Sequence, residues 1–448
     1  KRVEKTDLYD KSLITSLTVD TTILELKNLE INKTTTAKFS LKNIGPFINA
    51  EIDFTNNSNK NPVTIITGEN GTGKSIIIDA IRAILSGYQG FRSRDIIRDN
   101  SKSFSISANL EYNNEKNILS TNEKAKPSIL DKNKICFNVH DKINKTSELS
   151  NILTFEKNAK GNLWILNYWT SKTDNQPFNI GTLQFLKPEE YLKNSLDGIQ
   201  KNTEVISLIT YFDYLKSSDN PKEKKEGEFL FETIKKIIKL SLLDGEFKYV
   251  ERKVLMPIVT QNGSEVSLDK LSSGNLYLIQ RMISLLGQMY SVYTLNNLKL
   301  EDMLHTSGLL MIDEAENHLH PKWQKSFLNS ILSIFPNIQI IVTTHSPFIV
   351  SSIENAKVFV CKSMQDHSII VDETDIYSNK PIDEVLVSDV FETSPFSESI
   401  SKLIKEREVA INNNDLVKSE EIENKLKAIN PQYFSYFDID KLLKTVSK

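Results

Sequence analysis

Apolar residues in this chain recur in two rhythms. "NPVTIIT" (61–67), the start of "GLLMIDEAENHLHP" (308–321) and the start of "IQIIVTTHSPFIV" (338–350) are unbroken β-branched or aliphatic runs. Such runs predict strands buried on both faces. "SIIIDAIRAIL" (75–85) and "LDKLSSGNLYLIQRMISLL" (268–286) carry apolar residues on a helical period instead. Further strands are predicted at "TILELKNLEI" (22–31) and over 36–54, where the turn residues Gly45 and Pro46 split the run. "SFSISANLEYNNEK" (103–116) alternates like a single half-buried strand.

These elements group into segments. Residues 1–22 form a polar N-terminal tail, and 23–115 a first α/β lobe. Residues 116–246 are a mixed and helical insertion, rich in Asn, Lys and Ser at first, with the strand-like "NLWILNYW" (162–169) inside it. Two helical stretches follow, joined by the charged and solvated connection "KSSDNPKEKKEGE" (216–228). A second α/β lobe covers 247–375, and 376–448 is a helical tail. The helices between residues 75 and 271 hold no sustained heptad, which argues against a long coiled-coil arm. No repeat at solenoid spacing is present.

Composition narrows the class. The 448 residues are 39% hydrophobic and 25% charged, a globular balance with room for two or three lobes. No apolar run approaches the ~20 residues of a membrane span, so no membrane partner is expected. Lys1 in place of Met predicts that the sequence begins inside a longer product. Two cysteines, Cys136 and Cys361, make neither a disulfide framework nor a zinc site and fit a reducing cytoplasm. A net charge of −3 gives no global basic footprint for nucleic acid, although a local basic groove is compatible with it.

The chemistry sits at the ends of the buried strands. "TGENGTGKSIII" (67–78) places Gly68, Gly73, Lys74 and Ser75 at the spacing of a phosphate-binding loop, between a strand and a helix N-terminus. There Gly68, Glu69, Asn70, Gly71, Thr72, Gly73, Lys74 and Ser75 would wrap a nucleoside triphosphate with backbone N–H groups. The alternative is a chance match in a glycine-bearing turn. The second apolar strand ends in Asp313 and Glu314. Asp313 with the Ser75 hydroxyl suits Mg²⁺, and Glu314 suits polarising an attacking water, unless the pair merely caps the next helix. His345 ends the third run, where an imidazole can sense a γ-phosphate or serve a structural role. Ser272, Ser273 and Gly274 open an apolar helix, either as another anion-binding N-terminus or as an ordinary serine cap.

The ordered set "GENGTGKS", "LSSGN", "MIDEAENHLHP" and "TTHSP" resembles the ABC-type ATPases of the RecF/SMC/OLD lineage, across residues 23–115 and 247–375. The resemblance implies an α/β P-loop ATPase head built from two α/β lobes, with an inserted helical arm and a helical tail. It implies Mg²⁺-dependent ATP hydrolysis, with Walker A at 68–75, the signature at 271–275, Walker B at 309–314, a D-loop at Asn317–His320 and a switch histidine at His345. Catalytic roles fall to Glu314, His345 and Lys74. ATP would be shared by two heads, Walker A from one and the signature serine from its partner. A Q-loop glutamine beside the metal is also implied, with Gln184 in "GTLQFLKPEE" the candidate. Asn275 stands where Gln or Glu is usual and Ala315 where many relatives have proline; neither departure removes a phosphate or metal ligand, so hydrolysis is expected to be retained, with a slow rate compatible with them.

Missing heptads set the chain apart from chromosome-condensing relatives. Asp438 and Asp440 in "FDIDK" lie in a stretch too helical and too short for a Toprim nuclease. The tail, through "EVLVSDVF" and the helices after it, is similar to the PtuA-type ATPases of Septu and some retron anti-phage systems, which work with a separate HNH nuclease, PtuB. That resemblance implies a homo-oligomeric defence subunit whose tail docks a nuclease, with nucleic acid reached through the assembly. A RecF-like repair ATPase clamping duplex DNA and an ATP-sensing scaffold with little turnover remain as alternatives.

Overall fold

The structure is a computed structural model that describes residues 35–55, 62–86, 97–99, 101–112, 115–121, 139–141, 163–170, 178, 180–183, 187–193, 195–196, 198, 201–242, 244–388, 390–391, 396–413 and 415–437. The strand expected at 22–31, Gln184, and the Asp438 and Asp440 pair lie outside the described residues. The chain divides into two compact units, residues 1–379 and 380–448.

In the first unit the unbroken apolar runs become the centre of one sheet. β3 (Val63–Gly68), β11 (Ser307–Ile312) and β12 (Ile338–Thr343) are buried at every position, as is β7 (Trp164–Trp169). With β13 (Lys357–Ser363) they form a parallel block in the order β13-β3-β12-β11-β7. Only strands covered on both faces can dispense with polar alternation, which is why these segments read as continuous hydrophobic runs. Because the strands are parallel, β3, β11 and β12 deliver the residues that follow them to the same end of the sheet.

The antiparallel side is built from β1 (Thr35–Ile44), β2 (Phe47–Asp53), β4 (Ser105–Tyr112), β5 (Glu115–Thr121) and β6 (Val139–Asp141). β1 and β2 turn at Gly45–Pro46 as the sequence indicates, closing on the pair Ile44↔Phe47. β14 (Ser368–Asp372) pairs with β13, and its Ser368↔Phe47 register joins the two halves into a sheet of eleven strands among the described residues. The two α/β segments read from the sequence thus share one sheet, with β3 of the first lying between β12 and β13 of the second.

Two segments differ from the sequence reading. "SFSISANLEYNNEK" runs into a hairpin of β4 and β5, since its alternation continues on a second strand beyond residues 113–114. "NLWILNYW", within the insertion, becomes β7 beside β11, with Tyr168 opposite Met311. Its aromatic residues cover the flank that β11 would otherwise leave open.

Helices then cover the sheet. α1 (Lys74–Ser86) follows β3 and buries Ile77, Ile78, Ile81, Ile84 and Leu85 against Phe39, Phe47 and Phe104. Helices α2 (Asn202–Lys216) and α3 (Pro221–Ser241) fall on the two helical stretches, but most of the charged connection is itself helical: Asn220 caps α3 and Pro221 starts it, so residues 221–228 form its largely exposed first turns. A small sheet, β8 (Gly245–Glu251), β9 (Met256–Gln261) and β10 (Ser264–Ser267), leads into α4 (Ser273–Asn296), which is buried along most of its length. In the second unit α5 (Glu398–Asn412) and α6 (Leu416–Ile429) pair over a core of Ile422, Leu426, Phe434 and Phe437.

One close approach in the sheet is testable. A Cβ on Gly308 would stand 2.6 Å from the Ile165 carbonyl oxygen and 2.4 Å from its Cγ1. Gly308→Ala therefore forces β11 and β7 apart, and should cost about 1–3 kcal/mol in urea unfolding, the usual penalty of overpacking.

Candidate functional site

β3 ends at Gly68, and the chain turns through Glu69–Gly73 into α1. Gly68 and Gly73 hold φ of 139° and 98°. Crowding fixes these positions as firmly as φ does. A Cβ at Gly68 would lie 2.3 Å from the Cys361 carbonyl oxygen, and one at Gly73 would lie 2.6 Å from Pro46 Cγ. Both clashes arise from other strands, so the loop glycines answer to β13 and the β1–β2 turn. Within the loop, Lys74 Nζ donates to the carbonyls of Gly68 (2.9 Å) and Glu69 (2.7 Å), and Thr72 Oγ1 donates to Glu69 O at 2.8 Å. Glu69, Asn70 and Gly71 are exposed above it. Burial lowers the pKa of the Lys74 ammonium, against the pull of Glu316, Asp313 and Glu314 nearby. A cation and the N-terminus of a 13-residue helix thus share one face of the loop.

The acid pair meets this loop across 238 residues of chain, where the Ser75 hydroxyl donates to Asp313 Oδ1 at 2.9 Å. Thr343, the last residue of β12, donates to the same oxygen at 2.6 Å. The Asp313 N–H is held by Trp169 O at 2.9 Å, so β7 also positions it. Burial raises the Asp313 pKa even though both hydroxyls favour the carboxylate.

Glu314 takes a left-handed conformation at φ 51°, a strained choice for a residue with a Cβ. Its N–H donates to Thr343 Oγ1 at 2.9 Å, and Asn317 Nδ2 donates to its Oε2 at 2.7 Å. The next helical turn, Pro321–Gln324, is capped by His320 through Nδ1, so the acids do not cap it.

His345 follows β12, half-buried, beside Lys74. Burial first, and Lys74 second, lower its pKa, while a hydrogen bond with the Gly68 backbone opposes the shift. On balance these surroundings favour the neutral imidazole. Its main chain is held by a residue that sequence reasoning missed: the His345 N–H donates to Glu316 Oε1 at 2.8 Å, and Thr344 Oγ1 to Oε2 at 2.6 Å. Gln324 extends the brace, accepting from Ser346 Oγ (2.6 Å) and donating to Leu319 O (2.7 Å). Nothing in "DEAENHLHP" distinguishes Glu316 from a solvated loop acid; its partners lie 28 residues on.

The structure thus brings Lys74, Ser75, Asp313, Glu314 and His345 together. Ser272 and Ser273 stand exposed at the start of α4, with no side-chain cap from Ser272. Among the described residues no hydrogen bond joins them to this cluster. Gly274 instead packs on the loop after the acid pair, where a Cβ would lie 2.3 Å from His318 O.

The family described as "AAA domain, putative AbiEii toxin, Type IV TA system" matches residues 63–351, from β3 past His345 and over more than half of the chain. The chain belongs to this family. It is 29% identical over 225 residues to the "Retron Vc95 probable ATPase" of Vibrio cholerae serotype O1 biovar El Tor, covering 49% of this chain and 42% of that protein. It is 26% identical over 330 residues to the "Septu protein PtuA" of Bacillus mycoides strain KBAB4, covering 72% of this chain and 40% of that one. The chain thus spans less than half the length of these curated relatives. Among solved structures, an SMC head bound to the C-winged helix domain of ScpA aligns over 75% of this chain and 97% of its own, at 15% identity and a TM-score of 0.44. No helix among the described residues is long and apolar enough to cross a membrane.

The Asp313 shift has a measurable consequence. A carboxyl whose folded pKa is raised gives stability when protonated, and that stability is lost as pH rises through the folded pKa. Asp313→Asn removes the charge and keeps an acceptor for both hydroxyls. Without nucleotide its thermal midpoint at pH 7 should equal or exceed that of the wild type, and the gap should close as pH falls toward 4. A midpoint several degrees lower at neutral pH would show that the ionised carboxylate stabilises the fold.

Proposed function

We propose that the chain is an ATP-binding and ATP-hydrolysing head that works in pairs, as the regulatory subunit of an anti-phage complex with a separate HNH-type nuclease. The observation that carries the reading is the Ser75–Asp313–Thr343 hub, which ties a phosphate loop to an acid pair at one end of the sheet. A buried carboxylate gathering two hydroxyls, beside a lysine and a helix N-terminus, suits a phosphate chain with its counter-ion. Membership of an AAA-domain family and likeness to retron and Septu proteins support the ATPase and its defence setting.

The donor set fits Mg²⁺. Among the described residues no group of three or more His, Cys, Asp or Glu could hold a metal alone. Mg²⁺ in nucleotide sites uses one or two protein ligands and completes its shell with phosphate and water, which Ser75 and Asp313 match. Bound there, the ion would neutralise phosphate charge. A third ligand from Gln184 belongs to the same proposal.

Each residue then has a task. The loop N–H groups and Lys74, after leaving the Gly68 and Glu69 carbonyls, bind the phosphate tail. Glu314, aimed by Asn317, orients the attacking water and accepts its proton. His345 meets the γ-phosphate by a hydrogen bond. Ser272 and Ser273 of a second copy would close the site, since in this chain they face solvent at a helix N-terminus. ATP thereby acts as a ligand favouring the paired state. The tail unit, residues 380–448, is assigned to nuclease docking, and the complex to the cytoplasm.

Turnover and solution mass measured together test the reading, for the wild type, Lys74→Ala and Glu314→Gln. Loss of the water-orienting carboxylate should lower turnover by about 10²-fold or more and accumulate an ATP-bound dimer or larger ring. Lys74→Ala should lose nucleotide binding and the mass change with it. Stimulation by duplex DNA, steeply salt-dependent, would favour a DNA clamp instead. ATP-dependent mass without turnover in the wild type would leave a sensor scaffold.

A further inference from the structure

We propose that Glu316 is a positioning residue that yokes the water-orienting carboxylate to the switch histidine; the inference rests on the hydrolysis reading above. Glu316 and Asn317 are neighbours in one tight turn, closed by Asn317 N–H to Glu314 O (3.0 Å) and Leu319 N–H to Glu316 O (3.1 Å). From that turn Asn317 grips the Glu314 carboxylate, while Glu316 grips the main chain of His345 and the hydroxyl of Thr344. Both oxygens of Glu316 are used, so its carboxylate acts as a two-point clamp on the end of β12. Gln324 ties the same turn to Ser346 one residue further. The base and the sensor therefore cannot change separation unless the Glu316 clamp or the Asn317 contact opens.

Placement of charge fits this role. Glu316 lies close enough to Lys74 and His345 to act on both, opposing the burial that lowers each pKa. It makes no hydrogen bond to Ser75 or Asp313; its two hydrogen bonds reach the chemistry through Thr344 and His345.

Glu316→Ala removes both bonds. Glu316→Gln can keep the His345 N–H on its oxygen and turn its amide toward Thr344, whose hydroxyl can accept. A positioning role predicts that Glu316→Ala lowers kcat by about tenfold or more while KM stays within about twofold, and that Glu316→Gln recovers most of the rate. The deciding readout is a double-mutant cycle with His345→Ala: in that background Glu316→Ala should cost little further, because its route to the reaction is already gone. Amide hydrogen exchange over residues 338–350 gives a readout independent of turnover, with the His345 amide losing protection in Glu316→Ala and keeping it in Glu316→Gln.

Fully additive losses in the cycle, a KM rise with kcat unchanged, or unaltered exchange would each overturn the assignment. If the wild type binds ATP without turning it over, hydrolysis is the reading that fails. The clamp then stands or falls on exchange alone. Should Glu316→Ala not fold, Thr344→Val removes one of the two Glu316 bonds, along with the Ser346 N–H bond to the same hydroxyl, and carries the same cycle, with exchange read at the His345 amide.

Discussion

The site depends on one carboxylate that burial favours protonating and that one helix and two neighbouring strands hold in place. Asp313 sits where β3, β11 and β12 end, accepts hydroxyls from Ser75 and Thr343, and is fixed through its N–H to Trp169 on β7. A buried polar group without partners costs about 1–3 kcal/mol, and more if charged. This oxygen therefore selects arrangements in which both hydroxyls reach it. α1, β11 and β12 cannot drift apart without leaving it bare. Four distant stretches of chain are set in register by that requirement.

Strain is stored around the same point. Glu314 and His318 take left-handed backbone conformations, each worth about 1–3 kcal/mol. Thr343 and Asn317 hold Glu314 in place by hydrogen bonds, and Gly274 packs onto the His318 carbonyl. Rigidity comes from the fully buried parallel block beneath, whose side chains have no room to follow a relaxing loop.

Much of this was legible locally. The loop glycines, Lys74 and Ser75, the Asp313–Glu314 pair and His345 each sit at the end of an apolar run, and a buried parallel strand announces itself without regard to its neighbours. Glu316 and Gln324 lacked any such signal. Their roles arise from meeting Thr344, His345 and Ser346, and a polar residue among polar residues carries no mark of a partner elsewhere in the chain. The hairpin of β4 and β5 was hidden because alternation looks the same on one strand or two.

By itself the sequence determined which segments are buried strands, which helix follows the phosphate loop, and which groups stand at strand ends. Periodicity and glycine placement act over a few residues, and the chain states them directly. Only the tertiary structure decided that β3 lies between β12 and β13, that β7 from the insertion completes the core, and that Glu316 holds the chain at the end of β12. Strand order and side-chain pairing are settled by competition among distant surfaces for burial and hydrogen bonds. In this chain the decisive contact, Ser75 with Asp313, spans 238 residues.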